Sequence, residues 1–593
     1  MRILVLLTAL VLAAALNLAF WYLPNRPMPL PDVWAGGPLQ SASFAPYRRG
    51  QSPLEEKFPS QEEIEADMAA LKGLFKGVRT YSSLEGLEIV ARKGPQYGLD
   101  VTYGAWISAN KRNNEAEIAA LIAAANKYPQ SIKRVIVGNE VLLRQEQTAA
   151  EMAVHLRRVR AAIKQPVTYA DVWEFWLRNP ELAREVDFIT VHFLPYWEDE
   201  PVGVEHAMEH ILAVYEKVKN AFPGKPIMIG EVGWPSHGRD REAARVGRYQ
   251  EARFLNAFAN LAAKHGMDYN IVEAFDQTWK SAQEGTMGGN WGVLDSQRRP
   301  KFPLAGPIVE NPDWPVAFAA STALTVGIAA LAIARTMLAG APLLGFVLLT
   351  QAFATMLALC GQAGFKLWWD KDVLAWPIGM LALQAALAAL LLHEAWRRLE
   401  REKYRPPFRS TAMSLADFSD HWALYLPLGR TTVSITKIER FRLRWRRWLV
   451  EWLMLLAILL GLYETVWLAI RPDLVVFRAT LEQAPDLARY WLHSIFNGRY
   501  RDFPVAFFLV PALGWPLWRL ALALFGRTGW IGPPEERQTL RLEWLIVILM
   551  VAAGLAMLWV ERFLNREAWL WGGVALLLLA PFFERLVANR WAK

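Results

Sequence analysis

The chain has 593 residues, 53% of them hydrophobic, with 28 Trp and a mean hydropathy above zero, enough for two or more units and too apolar for all of them to be soluble. Its single cysteine, Cys360, lies in an apolar run and excludes an internal disulfide or a cysteine-built metal site. The net charge of +8 does not point to nucleic acid: 13 Lys or Arg against 5 Asp or Glu fall between Arg397 and Arg447, between two apolar runs, which is a membrane-topology signal.

In chain order, residues 1–23 open with a basic end and about twenty apolar residues. They read as a retained transmembrane anchor, or alternatively a signal, since no small-x-small cleavage site precedes Trp21–Arg26. Residues 24–312 read as a soluble domain. Short apolar runs at 41–47, 77–83, 99–106, 133–140, 166–173, 187–194, 225–231 and 269–276 alternate with stretches of helical periodicity such as 62–75, 115–128, 149–164, 206–222 and 247–266. Eight strands, each followed by a helix or its remnant, predict an α/β fold, a (β/α)8 TIM barrel. A doubly wound sheet would need a Gly-rich phosphate turn after the first strand, and RRGQSP is not one. Residues 313–593 read as an all-α polytopic membrane domain of about seven spans, near 315–337, 341–360, 373–393, 448–470, 503–525, 542–561 and 567–584. With Arg2 in the cytoplasm, eight crossings put the basic loop 394–447 inside and residues 24–312 outside.

A barrel carries its chemistry at the C-terminal ends of its strands. Here those ends are Tyr47, Tyr81, Trp106, Asn139–Glu140, Asp171–Trp173, His192, Glu231 and Glu273–Asp276. Glu231 follows a buried strand in IGEVGWPS, where a carboxylate costs free energy unless it is paired, bonded or used. Glu140 and Glu231 close the fourth and seventh strands, so both can face one cleft. Paired carboxylates are the usual apparatus of glycoside cleavage, and their separation distinguishes retention from inversion. Tyr81, Trp173, Tyr196 and Trp234 are candidates for a sugar-stacking surface, and His192 and Asp171 for substrate contacts. His206 and His210 have i, i+4 spacing but no third ligand, so no metal and no cofactor is expected.

VIVGNE at 135–140 and IGEVGWPS at 229–236, followed by VEAFDQTWK at 272–280 and GGNWGVLD at 288–295, resemble the motifs of glycoside hydrolase family 17, the β-1,3-glucanase family. The resemblance spans nearly all of 40–305. It implies that Glu140 is the proton donor and later the general base, that Glu231 is the nucleophile and that Asn139 bonds the sugar 2-OH. It also implies a retaining reaction, in which Glu140 is protonated near neutral pH while Glu231 stays ionised. Lys280 is kept and Glu284 lies close by, but Gln277 stands where plant glucanases have a carboxylate. SFAPYRRGQSP, VGNEVLLR and LPYW are more like the bacterial, membrane-linked branch, associated with periplasmic β-1,3/β-1,6-glucans, including rhizobial cyclic glucans. The expected protein is therefore a multi-pass bacterial inner-membrane transglycosylase with a periplasmic catalytic domain. Its expected partners are β-linked glucan, the lipid bilayer and a separate glucan synthase. A hydrolytic glucanase and a non-catalytic glucan-binding partner of a synthase or export complex are the alternatives.

Overall fold

In the computed structural model, which describes residues 1–366, 374–400, 435–470, 500–526 and 541–583, the eight apolar runs become eight parallel strands. They are β1 (Leu39–Ser43), β2 (Phe75–Arg79), β3 (Asp100–Ala105), β4 (Ile132–Asn139), β5 (Val167–Val172), β6 (Ile189–Phe193), β7 (Ile227–Val232) and β8 (Asp268–Ile271). They pair in sequence order and close on themselves, β1 lying between β2 and β8. Strand residues such as Val78, Val101, Val135, Val167, Val191 and Ile229 are fully buried, as expected where helices cover a parallel sheet.

The helices begin where side chains satisfy the free N–H groups of their first turn. Ser60 with Glu63 and Thr148 with Glu151 form capping boxes at the helices Gln61–Leu71 and Ala149–Ala162. Gly266, in the left-handed region at φ 62°, ends the helix Arg248–His265. Three strands stop four or more residues before the ends of their apolar runs. β1 ends at Ser43, β2 at Arg79 and β8 at Ile271, so Tyr47, Tyr81, Glu273 and Asp276 stand on loops beyond the strands, not at their ends.

Contacts divide the chain into two compact units, Pro27–Glu310 and Met1–Arg26 together with Asn311–Lys593. The second unit is helical. Among the described residues, seven helices are long and apolar enough to cross a membrane, at Arg2–Asn25, Trp314–Arg335, Gly340–Lys366, Ala375–Glu400, Leu449–Ala469, Val505–Phe525 and Glu543–Val560. The span expected at 567–584 gives a helix of 13 residues, Arg566–Leu578, about 20 Å long and short of a ~30 Å hydrocarbon core; residues beyond 583, and residues 401–434 of the basic loop 394–447, lie outside the described residues. The N-terminal helix is tied in by polar groups. Asn17 Nδ2 donates to Ser321 Oγ at 2.9 Å and Thr322 Oγ1 at 3.0 Å, and Asn17 Oδ1 accepts from Thr355 Oγ1 at 3.0 Å.

Candidate active site

The end of β4 leaves the sheet through two residues with left-handed backbone, Gly138 at φ 85° and Glu140 at φ 52°. A Cβ on Gly138 would stand 2.9 Å from Met152 Cε and Val141 Cγ2, so glycine is required there. Glu140, a non-glycine residue in that region, is fixed on both sides. Its N–H donates to the Ala170 carbonyl at 2.8 Å and its carbonyl accepts from Arg144 N–H at 2.8 Å. On β7, a Cβ on Gly230 would lie 2.5 Å from Thr190 Cγ2 and within 3.2 Å of the His192 ring. The missing side chain leaves room for the imidazole beside the next residue, Glu231.

The three groups converge. Glu140, His192 and Glu231 each offer one polar atom, all within 4.8 Å of one another. His192 is 1% exposed; its Nδ1 lies 3.0 Å from Glu140 Oε1 and its Nε2 3.8 Å from Glu231 Oε1. Glu231 Oε1 also accepts from Tyr81 Oη at 2.9 Å and from Arg79 Nη1 at 3.2 Å. Arg79 is wholly buried, donates to the Gly230 carbonyl at 2.7 Å and to Asn139 Oδ1, and packs 4.8 Å from the centre of the Tyr81 ring. One guanidinium thus ties the ends of β2, β4 and β7 together. Tyr81 Oη in turn accepts from Ser43 Oγ at 3.0 Å, and Ser43 Oγ accepts from Asn270 Nδ2 at 2.9 Å.

These surroundings set the charges. Burial pushes the Glu140 carboxyl up, but the His192 hydrogen bond and the charges of His192, Arg144 and Arg79 outweigh it and hold Glu140 below its ordinary value. The expectation of a Glu140 protonated by its own surroundings near neutral pH is corrected accordingly: imidazole and guanidinium favour its anion. Asp171 is pushed up to about 6 by burial, against its Tyr169 hydrogen bond, with the Glu140 charge adding to the rise. Glu284, half-buried, is pushed up to about 7 by burial and, against Lys280, by the carboxylates of Glu140, Glu273 and Glu231. Arg79, Arg144 and Lys280 already act on the paired carboxylates, which argues against a further cation among them.

The other expected site residues divide between cleft and wall. Lys280 pairs with Glu273, which burial raises against that ion pair. Trp173 is half-buried and donates through Nε1 to Glu198 at 3.1 Å. Tyr196 and Trp234 are 0% exposed, so neither offers a ring face to a sugar, contrary to expectation. Their ring centres are 6.0 Å apart, and their polar atoms donate to the carbonyls of Arg239 at 2.6 Å and Arg245 at 2.8 Å. Asp276 likewise belongs to the wall, accepting from Lys301 Nζ at 3.0 Å and Gly292 N–H at 2.9 Å. Gln277 is 1% exposed and donates to the carbonyls of Ala45 at 2.6 Å and Phe275 at 3.1 Å. A carboxylate has no N–H to give, so the amide has a structural role in this chain.

Sequence reasoning missed Arg79, Ser43 and Asn270. The available signal was the alternation in Ser41-Ala42-Ser43 and Gly77-Val78-Arg79, which places polar groups among apolar strand neighbours.

Comparison with known proteins agrees with this geometry. Residues 41–292 match the family described as the BtgE/BtgC glycoside hydrolase domain. A protein of Arthroderma benhamiae named glucan 1,3-beta-glucosidase is 24% identical over 41% of this chain and 84% of its own length. The probable glucan endo-1,3-beta-glucosidase btgC of Aspergillus clavatus is 28% identical over 43% of this chain, but the match spans only 41% of that protein. Among solved structures, the Rhizomucor miehei glycoside hydrolase family 17 beta-1,3-glucanosyltransferase is similar at 23% identity, over 45% of this chain and 98% of that one, with a TM-score of 0.40.

Proposed function

Because residues 41–292 match the BtgE/BtgC glycoside hydrolase domain, we propose that this chain is a membrane-anchored retaining glucanosyltransferase of the family 17 type. It cleaves β-1,3-linked glucan and passes the glycosyl unit to a sugar hydroxyl, building or branching periplasmic β-1,3/β-1,6-glucan. The reading rests first on the carboxylate oxygens of Glu140 and Glu231, which approach within 4.8 Å. That approach suits the ~5–5.5 Å of a retaining pair and leaves no room for the water that an inverting pair must hold at ~6.5–9.5 Å.

Glu231, steadied by Arg79 and Tyr81, attacks the anomeric carbon as Glu140 protonates the departing oxygen. The sugar is then held as an ester on Glu231, and Glu140 accepts the proton of the incoming hydroxyl. Water and a sugar compete for that ester, and an aligned acceptor wins by proximity. Trp106, 37% exposed and backed by the Arg144 guanidinium at 4.2 Å, is one rigid platform at the cleft mouth; half-buried Trp173 is another. Placement in a bacterial inner membrane, with the barrel on the periplasmic side, is supported by the seven long apolar helices and by the basic loop at 394–447.

The test is linkage analysis and mass spectrometry of products made by the detergent-solubilised full chain from β-1,3-gluco-oligosaccharides, with Glu231→Gln as control. Products longer than the substrate, absent with the control, are expected. Only shorter products would make the chain an anchored glucanase, and unchanged oligosaccharide would leave a glucan-binding barrel.

A further inference from the structure

His192 stands between the two carboxylates with one nitrogen toward each. Its ring is 1% exposed, Nδ1 is within hydrogen-bond distance of Glu140 Oε1 at 3.0 Å, and Nε2 has no hydrogen-bond partner and faces Glu231 Oε1 at 3.8 Å. The seat is close-fitting, since a Cβ at Gly230 would collide with Thr190 Cγ2 at 2.5 Å and crowd the ring at 3.1–3.2 Å. A sugar contact would not need both nitrogens aimed at carboxylates, and a packing role would not need a titratable ring.

We propose that His192 is a positioning residue that stores the catalytic proton, supplying it to Glu140 for the first half-reaction and taking it back in the second. The proposal rests on the retaining reading above.

The charges balance. With both carboxylates ionised, an imidazolium donates to Glu140 and directs its second N–H at Glu231, giving the three groups a net charge of −1. Nδ1 hands its proton to Glu140, which passes it to the leaving-group oxygen, while Glu231 forms the C–O bond to the anomeric carbon and the old glycosidic C–O bond breaks. Glu231 is then a neutral ester, Glu140 an anion and His192 neutral, and the net charge is again −1. The acceptor oxygen bonds to the anomeric carbon as the C–O bond of the Glu231 ester breaks, the acceptor's proton passes through Glu140 to Nδ1, and the starting state returns. The net charge of the buried trio is the same at both stages, so neither half-reaction adds a charge where one costs most.

The charged groups facing the ring are Glu140 from β4, Asp171 from β5 and Glu231 from β7, and Arg79 from β2 acts on it through Glu231. Arg144 and Glu284 act on it through Glu140. Asp171 and Glu284 are neighbours other than the trio whose own titration falls in the working range, at about 6 and about 7, so Asp171→Asn and Glu284→Gln accompany the test to remove them.

The experiment measures kcat/KM against pH for the full chain on two substrates. One is a β-1,3-gluco-oligosaccharide, whose departing sugar needs a proton; the other is a nitrophenyl β-glucan oligosaccharide, whose leaving group does not. In the parent, in Asp171→Asn and in Glu284→Gln, the alkaline limb for the oligosaccharide is expected to move to lower pH on warming, as an imidazolium ionisation does and a carboxyl ionisation does not. In His192→Gln that limb is expected to shift acidward by about one to two pH units, from an imidazole toward a carboxyl. The loss on the oligosaccharide should exceed that on the nitrophenyl substrate by at least about tenfold, the signature of impaired general-acid supply. A temperature-independent limb in the parent overturns the proposal even if His192→Gln does not fold. So does a His192→Gln limb that stays or moves to higher pH, or equal losses on both substrates. If the parent turns over neither substrate, the retaining reading itself falls and takes this proposal with it.

Discussion

Glu231 receives a phenol and a guanidinium on one oxygen, and Glu140 receives an imidazole. An anion held by positioned donors is a prepared nucleophile, because the donors need not reorganise as the reaction proceeds. Glu140→Gln should therefore slow oligosaccharide turnover by about 10²–10⁴-fold, with a smaller loss on a substrate whose leaving group needs no proton, as parallel kinetics on both substrates will show. Arg79→Lys keeps the charge but cannot serve Glu231, the Gly230 carbonyl and Asn139 together from one planar fork. Steady-state kinetics should show a fall in kcat that raising the substrate concentration does not restore.

Single strand ends carry the site, and two devices hold them. The first is glycine where a methyl group has no space. Gly230→Ala forces Cβ to 2.5 Å from Thr190 Cγ2 and against His192, and should cost about 1–3 kcal/mol as an overpacked core does. Thermal unfolding and kcat should fall together. The second is the ion cluster behind the β8 loop, where Lys301 reaches Glu251 at 2.9 Å and Asp276 at 3.0 Å. One ammonium can neutralise one carboxylate, so the other keeps its proton: burial pushes Glu251 up to about 8 despite Lys301. Lys301→Met leaves two buried carboxyls without their cation and should destabilise the chain by about 3–5 kcal/mol. A denaturation midpoint unchanged from the parent would contradict this account.

At the scale of the whole molecule, pH should act through the buried acids of the barrel. Asp171, Glu284 and Glu251 rise to about 6, 7 and 8, above their unfolded values, so each contributes stability that is complete below the ordinary carboxyl range and lost as pH climbs through the folded value. Lowered carboxyls such as Glu63 and Glu151 act oppositely, but their contribution is lost only as pH falls below the ordinary carboxyl range. His155, lowered by burial, adds a small gain as pH rises. The melting temperature of the full chain in detergent should thus be higher near pH 5 than near pH 8; a rise over that interval would refute the assignment. Membrane orientation is open to a separate test, since Cys360 is the only cysteine. In a Cys360→Ala background, Lys111→Cys should react with an impermeant maleimide in intact spheroplasts, and Ser410→Cys only after the membrane is opened.

Much of this was determined by sequence alone. Apolar periodicity sets strands and helices locally, so the eight-stranded barrel and the long apolar helices were legible, as was the coincidence of Glu140 and Glu231 at strand ends. Strand length was not, because β1 and β8 stop where closure of the barrel ends their pairing, and that left Glu273 and Asp276 on a loop. Tertiary structure also decided which polar residues serve the cleft. Tyr196, Trp234, Asp276 and Gln277 have the composition of a sugar site but face the wall, while Arg79, in an otherwise ordinary strand, reaches its centre. Composition cannot tell those apart, because burial and charge pairing depend on neighbours brought together from strands 60 and 152 residues away, as Arg79 meets Asn139 and Glu231.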